Sequence, residues 1–248
     1  MKALVIGVFV LFGALHLHAA DVNVAAASDL NFAIKEIIHD FEENTGHNVR
    51  LTLGSSGNFF AQIKNGAPFD VFLSADVEYP KRLETEGYAV AGATFVYGVG
   101  RIALWVPTSS PLDLEKFGMN VVAQPRTRKI AIANPEHAPY GRAAVAAMQH
   151  AHVYEAASTK LALGENISQA AQFVQSGAAD LGIIAMSLVL SDAMRLSGRY
   201  WLIPPDWYPK LEQGAALLKH AGPAGKAFHT WLRQPHAKSV LNKYGFTE

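Results

Sequence analysis

Residues 22–38 read VNVAAASDLNFAIKEII, a run of small apolar residues that breaks at Ser28 and passes into a helical pattern. LTLGSSGNFFAQI, residues 51–63, repeats the layout. In both, an apolar strand ends in small polar residues and a helix begins, which is the building unit of an α/β fold. Leu30, Ala33, Ile34, Ile37, Ile38 and Phe41 recur at spacings of three and four, so one face of the first helix is predicted to be buried. Gly46 and Gly66 follow the two helical patterns, where a helix end favours a residue that accepts a left-handed backbone.

Outward from these stretches, DVNVAAA, VRLTL, FDVFLS, RIALWVP, KIAIA, DLGIIA, YWLIP and GAALL read as strands, most of them separated by helical patterns. The alternation predicts largely parallel sheets, and no short period repeats. The strand, loop and helix units fall into two sets, with crossings expected near VYGVGR (96–101) and PPDWYPK (204–210). Residues 21–98 with 207–248 are therefore expected to form one lobe and 99–206 the other. A cleft between lobes is the default ligand site.

The chain has 248 residues, 50% hydrophobic and 17% charged, enough to bury a substantial core. Lys plus Arg and Asp plus Glu are balanced at 21 each. With no basic block, a nucleic-acid partner held by phosphate neutralisation is not expected. The first twenty residues, MKALVIGVFVLFGALHLHAA, carry Lys2, an apolar run from Ala3 to Leu15, and small residues at Ala19 and Ala20. That is the pattern of a secretory signal peptide, the run being shorter than the ~20 residues of a membrane span; a retained anchor is the alternative. Zero cysteines exclude a lipobox, a thiolate metal site and a disulfide framework. A soluble periplasmic monomer is the expectation.

In an open α/β sheet, ligands sit beyond the carboxyl ends of the strands, where following helices direct free amides and the positive end of their dipoles. Ser28 and Ser56 fall at such junctions, and Gly54 and Gly57 would let the backbone approach a ligand. Both serines also suit ordinary N-caps. FLSADVEYP (72–80), IANPEHAPYGRAAVAAM (132–148) and LGENISQAAQFVQSG (163–177) repeat the strand-to-helix junction. Ala75 and Ile167 could contribute only backbone N–H groups there, packing being the bland alternative. Tyr140 reads as an aromatic covering the cleft.

AAASDL, GSSGN followed by AQIKNGAPFDVFLSAD, then NPEHAPYG and the closing YGF resemble the periplasmic molybdate-binding proteins of ABC importers, over nearly the whole mature chain. The resemblance implies a type II periplasmic-binding fold of two α/β lobes, each a mixed, mostly parallel sheet flanked by helices. It implies closure on molybdate or tungstate through neutral donors, with delivery to an importer's permease and ATPase. Carried over by motif, the contacts are Ser28, Ser56 and the amides of Ala75, Tyr140 and Ile167. No cofactor and no enzyme activity are implied, and a metal enters only inside the oxyanion. One departure stands out: some members place a tyrosine hydroxyl on the ligand where LGIIAMS has Ala185. Tyr140, Asn166 and Ser187 are the candidate replacements. Asp29 is expected to be a first-turn acid stabilising the helix dipole, its side chain in solvent.

The dianion's oxygens only accept, so a shell of donors suits it, whereas phosphate near neutral pH carries a proton and wants an acceptor. A sulfate or phosphate receptor is the nearest alternative. A serine hydrolase is a more distant one, since Asn58 stands where G-x-S-x-G around Ser56 needs glycine, and no S-x-x-K is present. The histidines of QHAH (149–152), at i and i+2, would not share a helix face to hold a metal.

Overall fold

The computed structural model describes residues 21–248; the expected signal peptide, residues 1–20, lies outside the described residues. Ten strands are divided between two sheets: β1 (Asp21–Ala27), β2 (Asn48–Gly54), β3 (Val71–Ser74), β4 (Phe95–Gly100), β5 (Ile102–Pro107), β6 (Ile130–Ala133), β7 (Leu161–Gly164), β8 (Leu181–Ala185), β9 (Gly198–Leu202) and β10 (Leu211–Leu217). The first sheet has the order β2-β1-β3-β10-β4 and the second β7-β6-β8-β5-β9.

Each sheet is mixed. β10 runs antiparallel to both β3 and β4, and β5 antiparallel to both β8 and β9, while the other pairings are parallel. The reversed strands are those the chain enters directly from the other sheet. Arg101 alone separates β4 from β5, so the chain passes from the first sheet to the second with no helix between.

VYGVGR, expected as a crossing, is largely strand β4, paired with β10. Its glycines serve close packing: a Cβ on Gly98 would lie 3.2 Å from Phe246 Cβ, and one on Gly100 would overlap the Tyr140 hydroxyl. The four-residue edge strand β7 is too short and too exposed to leave a clear pattern.

The helices associated with the first sheet are α1 (Ala33–Thr45), α2 (Ser56–Lys64) and α3 (Glu78–Thr85). Next in the chain come α4 (Leu114–Phe117), α5 (Pro139–His150), α6 (Tyr154–Ser158), α7 (Ile167–Gln175), α8 (Met186–Val189) and α9 (Asp192–Arg195). The last two, α10 (Pro223–Trp231) and α11 (Pro235–Lys243), return to the first sheet.

The predicted face of α1, from Ala33 through Phe41, is buried, and Gly46 ends the helix at φ 70° with its N–H on Glu42 O. Val22, Val24 and Ala26 of β1 join that face and α10 in one core; Ala25 joins Phe59 and Phe60 of α2 and Leu83 of α3 in another. Helices cover both faces, so DVNVAAA reads as a nearly continuous apolar run. A third core surrounds the second sheet and reaches Ala27 and Ala75 of the first. Among the described residues no helix is long and apolar enough to cross a membrane.

Candidate functional site in the cleft

The carboxyl ends of β1, β2 and β3 meet the first turns of α5 and α7 across a narrow cleft. A cavity there is lined by Ala27, Ser28, Asp29, Gly54, Ser55, Ser56, Ala75, Ala138, Pro139, Tyr140 and Ile167. It measures ≈ 10 Å³, room for at most one water molecule. Ser28, Ser56, Ala75, Tyr140 and Ile167, expected at the site, are thus brought together. No cationic side chain lines the cavity.

Neither serine is a helix cap by geometry. The residue before α2 is Ser55, and Ser28 opens a short 3-10 turn, Ser28–Leu30, after Ala27. Ser56 Oγ, fully buried, instead accepts the Ala75 N–H at 2.9 Å. One lone pair is therefore occupied, and among the described residues the Ser56 hydroxyl has no hydrogen-bond acceptor of its own. Ala75 N–H, expected to face the ligand, is engaged by Ser56, because a buried amide takes the nearest acceptor. Ser28 Oγ donates to Asn166 Oδ1 (3.1 Å) and accepts the Ser168 N–H (3.3 Å). Tyr140 and Ile167 lie in the first turns of their helices, where amides have no partner within the helix.

The expectation for Asp29 is overturned. It is 1% exposed, and its Oδ2 accepts from Tyr140 Oη (2.8 Å) and Gln213 Nε2 (2.7 Å). Gln213 Nε2 also reaches Tyr140 Oη (2.8 Å), while Tyr97 Oη donates to Gln213 Oε1 (2.8 Å). Asp29 Oδ1 is buried without a partner. Burial raises the carboxyl pKa to about 6 against the lowering effect of the Gln213 and Tyr140 hydrogen bonds and of the Asp29 and Leu30 backbone amides. Burial first, then the Asp29 charge, holds both tyrosine hydroxyls well above 10. The 3-10 turn drives Asp29 inward where a regular helix start would have left it in solvent. Asp76, the acid that follows Ala75, does not line the cavity and pairs with Arg142 at 2.8 Å.

The candidate replacements for the tyrosine absent at Ala185 are differently engaged: the Tyr140 hydroxyl on Asp29, Ser187 Oγ on Asp29 O (2.7 Å), and Asn166 Oδ1 on Ser28 and on the Gln169 N–H. Gly57 also differs from expectation. Its N–H donates to His137 O at 3.0 Å, and a Cβ would lie 2.6 Å from that oxygen, so the glycine admits backbone from across the cleft. Gly54 lines the cavity and packs its backbone on Phe59.

Sequence reasoning missed His137, whose Nδ1 lies 2.9 Å from Ser55 Oγ. Among the described residues no acid is hydrogen-bonded to that imidazole. It also missed Gln213, a buried partner of Asp29, and Tyr97, whose hydroxyl holds the Gln213 amide in place. No local signal marked Gln213, which stands beside the charged Glu212 just ahead of the apolar run of β10. His150 stacks on Trp207 with centroids 5.0 Å apart, and His152 lies beyond α5. Among the described residues no group of three or more His, Asp or Glu side chains could hold a metal ion. A larger concavity, ≈ 540 Å³, lies away from these strand ends, between Ser109, Arg126 and Asp180.

Residues 22–247 match the family described as bacterial extracellular solute-binding protein. The chain is 40% identical over 230 residues to the molybdate-binding protein ModA of Azotobacter vinelandii, covering 92% of this chain and 90% of the relative. It is 41% identical to ModA of Rhodobacter capsulatus, covering 92% and 88%. The solved periplasmic molybdate-binding protein of Azotobacter vinelandii superposes with a TM-score of 0.85 at 31% identity, over 92% of this chain and 99% of that one. By these matches, which run through both sheets and the cleft between them, the chain belongs to the bacterial extracellular solute-binding proteins.

Proposed function

We propose that this protein is a periplasmic receptor that binds molybdate, and tungstate equally, and delivers it to the permease and ATPase of an ABC importer. The observation that carries the reading is the cavity where Ser28, Ser56, Ala75, Tyr140 and Ile167 meet, walled by hydroxyls and helix-start amides and by no cationic side chain. Such a shell suits an anion whose oxygens only accept. The two relatives named ModA support the cargo, at 40% and 41% identity over nearly the whole chain. On this reading the protein is a receptor without catalytic activity or cofactor, exported by residues 1–20. Its lobes are residues 21–98 with 207–248 and residues 99–206. Ser28, Ser56 and the amides of Tyr140 and Ile167 hold the oxyanion with the lobes closed, Ala75 lining the wall with its amide on Ser56, and surrender it when the lobes part.

Calorimetric titration with molybdate is the test. Saturable one-to-one binding is expected, with tungstate of similar affinity. Sulfate should bind about a hundredfold more weakly, since a smaller anion in a fixed shell stretches or loses donors at about 1.5 kcal/mol each. The inward Asp29 favours one second reading, a receptor for hydrogen phosphate, whose proton needs an acceptor. Phosphate displacing molybdate at comparable concentration would establish that reading in place of the first.

A further inference from the structure

Asp29 is the one acid on the cavity wall, and nothing in a shell of donors explains it. Its Oδ2 already accepts two hydrogen bonds, while Oδ1 is buried with none. Resting on the oxyanion reading, we infer that Asp29 binds the anion as the neutral acid, so that one proton is taken up from solvent with each dianion. The step is balanced by charge: the carboxylate gains a proton, the anion keeps its two charges, and no covalent bond to the anion forms. Because Oδ2 is occupied as an acceptor, the proton settles on Oδ1. There it turns an orphan acceptor into a donor toward the anion, making up for the hydroxyl that Ala185 cannot supply.

No cation faces Asp29 to neutralise an ionised carboxylate; the groups around it are neutral, the backbone N–H groups of Asp29 and Leu30 among them. α5 presents Tyr140 and β4 presents Tyr97, both neutral hydroxyls. β10 presents Gln213, α8 Ser187, and the α7 start Asn166 and Ser168. The nearest elements' cations are spent elsewhere, Arg142 on Asp76 and Arg101 on Gly245 O. Without an anion the carboxyl titrates at about 6, and a dianion beside it disfavours ionisation further. At neutral pH the empty receptor is therefore mostly ionised and the filled one protonated.

The experiment is titration of the protein with sodium molybdate at pH 8 in buffers of differing ionisation enthalpy, repeated from pH 5 to 9. Uptake of close to one proton per anion is expected at pH 8, with affinity falling about tenfold per pH unit above the free carboxyl's pKa. Asp29→Asn keeps the shape and a donor; it should bind without proton uptake, independently of pH, and more tightly than wild type at pH 8. Binding by the wild type with no proton uptake overturns the inference and leaves the receptor reading intact. Absence of molybdate binding at every pH overturns both. Phosphate bound in preference, with no proton taken up, shows Asp29 ionised and accepting from the ligand, which also overturns it. The proton count is made on the wild type, so it stands even if the variant folds poorly.

Discussion

The two serines expected to hold the ligand are unequal. Ser56 has its lone pair occupied by Ala75 N–H and its proton unassigned, whereas Ser28 has committed its proton to Asn166. An anion reaches the first without cost but must displace an existing bond at the second. Ser56→Ala should weaken molybdate binding by about 3 kcal/mol, and Ser28→Ala by about 1.5 kcal/mol. Calorimetry on both variants checks the ranking, and equal losses would contradict it. At the same scale, Asp29 links stability to pH. Its folded pKa of about 6 lies above the ordinary 3.8, so between those values the folded state holds more protons than the unfolded. Raising pH through that window therefore removes stability, about 3 kcal/mol at roughly 1.4 kcal/mol per unit. Comparing denaturant unfolding of the empty wild type and of Asp29→Asn at pH 4 and pH 7 isolates it, because the variant lacks this component.

At the scale of elements, legibility followed how local each signal was. Strands with long apolar runs, the buried face of α1 and the turn at Gly46 all rest on neighbouring residues, and the structure has them. The reversed β10 and β5 do not, because strand direction depends on where the chain re-enters a sheet. Junctions between strand and helix were readable as positions, so the five cavity residues could be named. Their partners could not: Gln213 reaches Asp29 across 184 residues, and no local pattern encodes that pairing. Gly57 makes the point testable. Alanine there should favour α2 as an isolated helix by about 0.5–1 kcal/mol, yet its Cβ would lie 2.6 Å from His137 O across the cleft. Gly57→Ala is expected to keep or raise the thermal midpoint of the empty protein while weakening anion binding at least tenfold. A lowered midpoint with unchanged affinity would show that the contact is only packing.

At the scale of the whole molecule, the two halves are joined over the cavity by bonds such as Asn58 to Glu165 (2.6 Å) and Ser168 to Ser28 O (2.8 Å). Opening must break them, so molybdate should reduce the radius of gyration in small-angle scattering; binding with an unchanged radius would argue against a clamp. Far from the cleft, burial of His229 lowers its pKa from 6.5 to about 4. There the unfolded state holds more protons, so falling pH removes stability, opposite in sign to Asp29 in an overlapping window. Wild-type stability should vary little between pH 4 and 6.5, and the thermal midpoint of Asp29→Asn should rise with pH across it.

The position of β10 also dictates an order of events in time. It lies between β3 and β4, yet it is separated from them by the whole second sheet. Every strand of the second sheet has emerged by residue 202, while the first sheet lacks an inner strand until residues 211–217 arrive. Pairings of such long sequence separation are slow to form. During refolding, amides of β6 and β8 should gain protection in pulsed hydrogen exchange before those of β3 and β4, and the newly made chain carries an unfinished sheet with two exposed edges until its last forty residues or so are available.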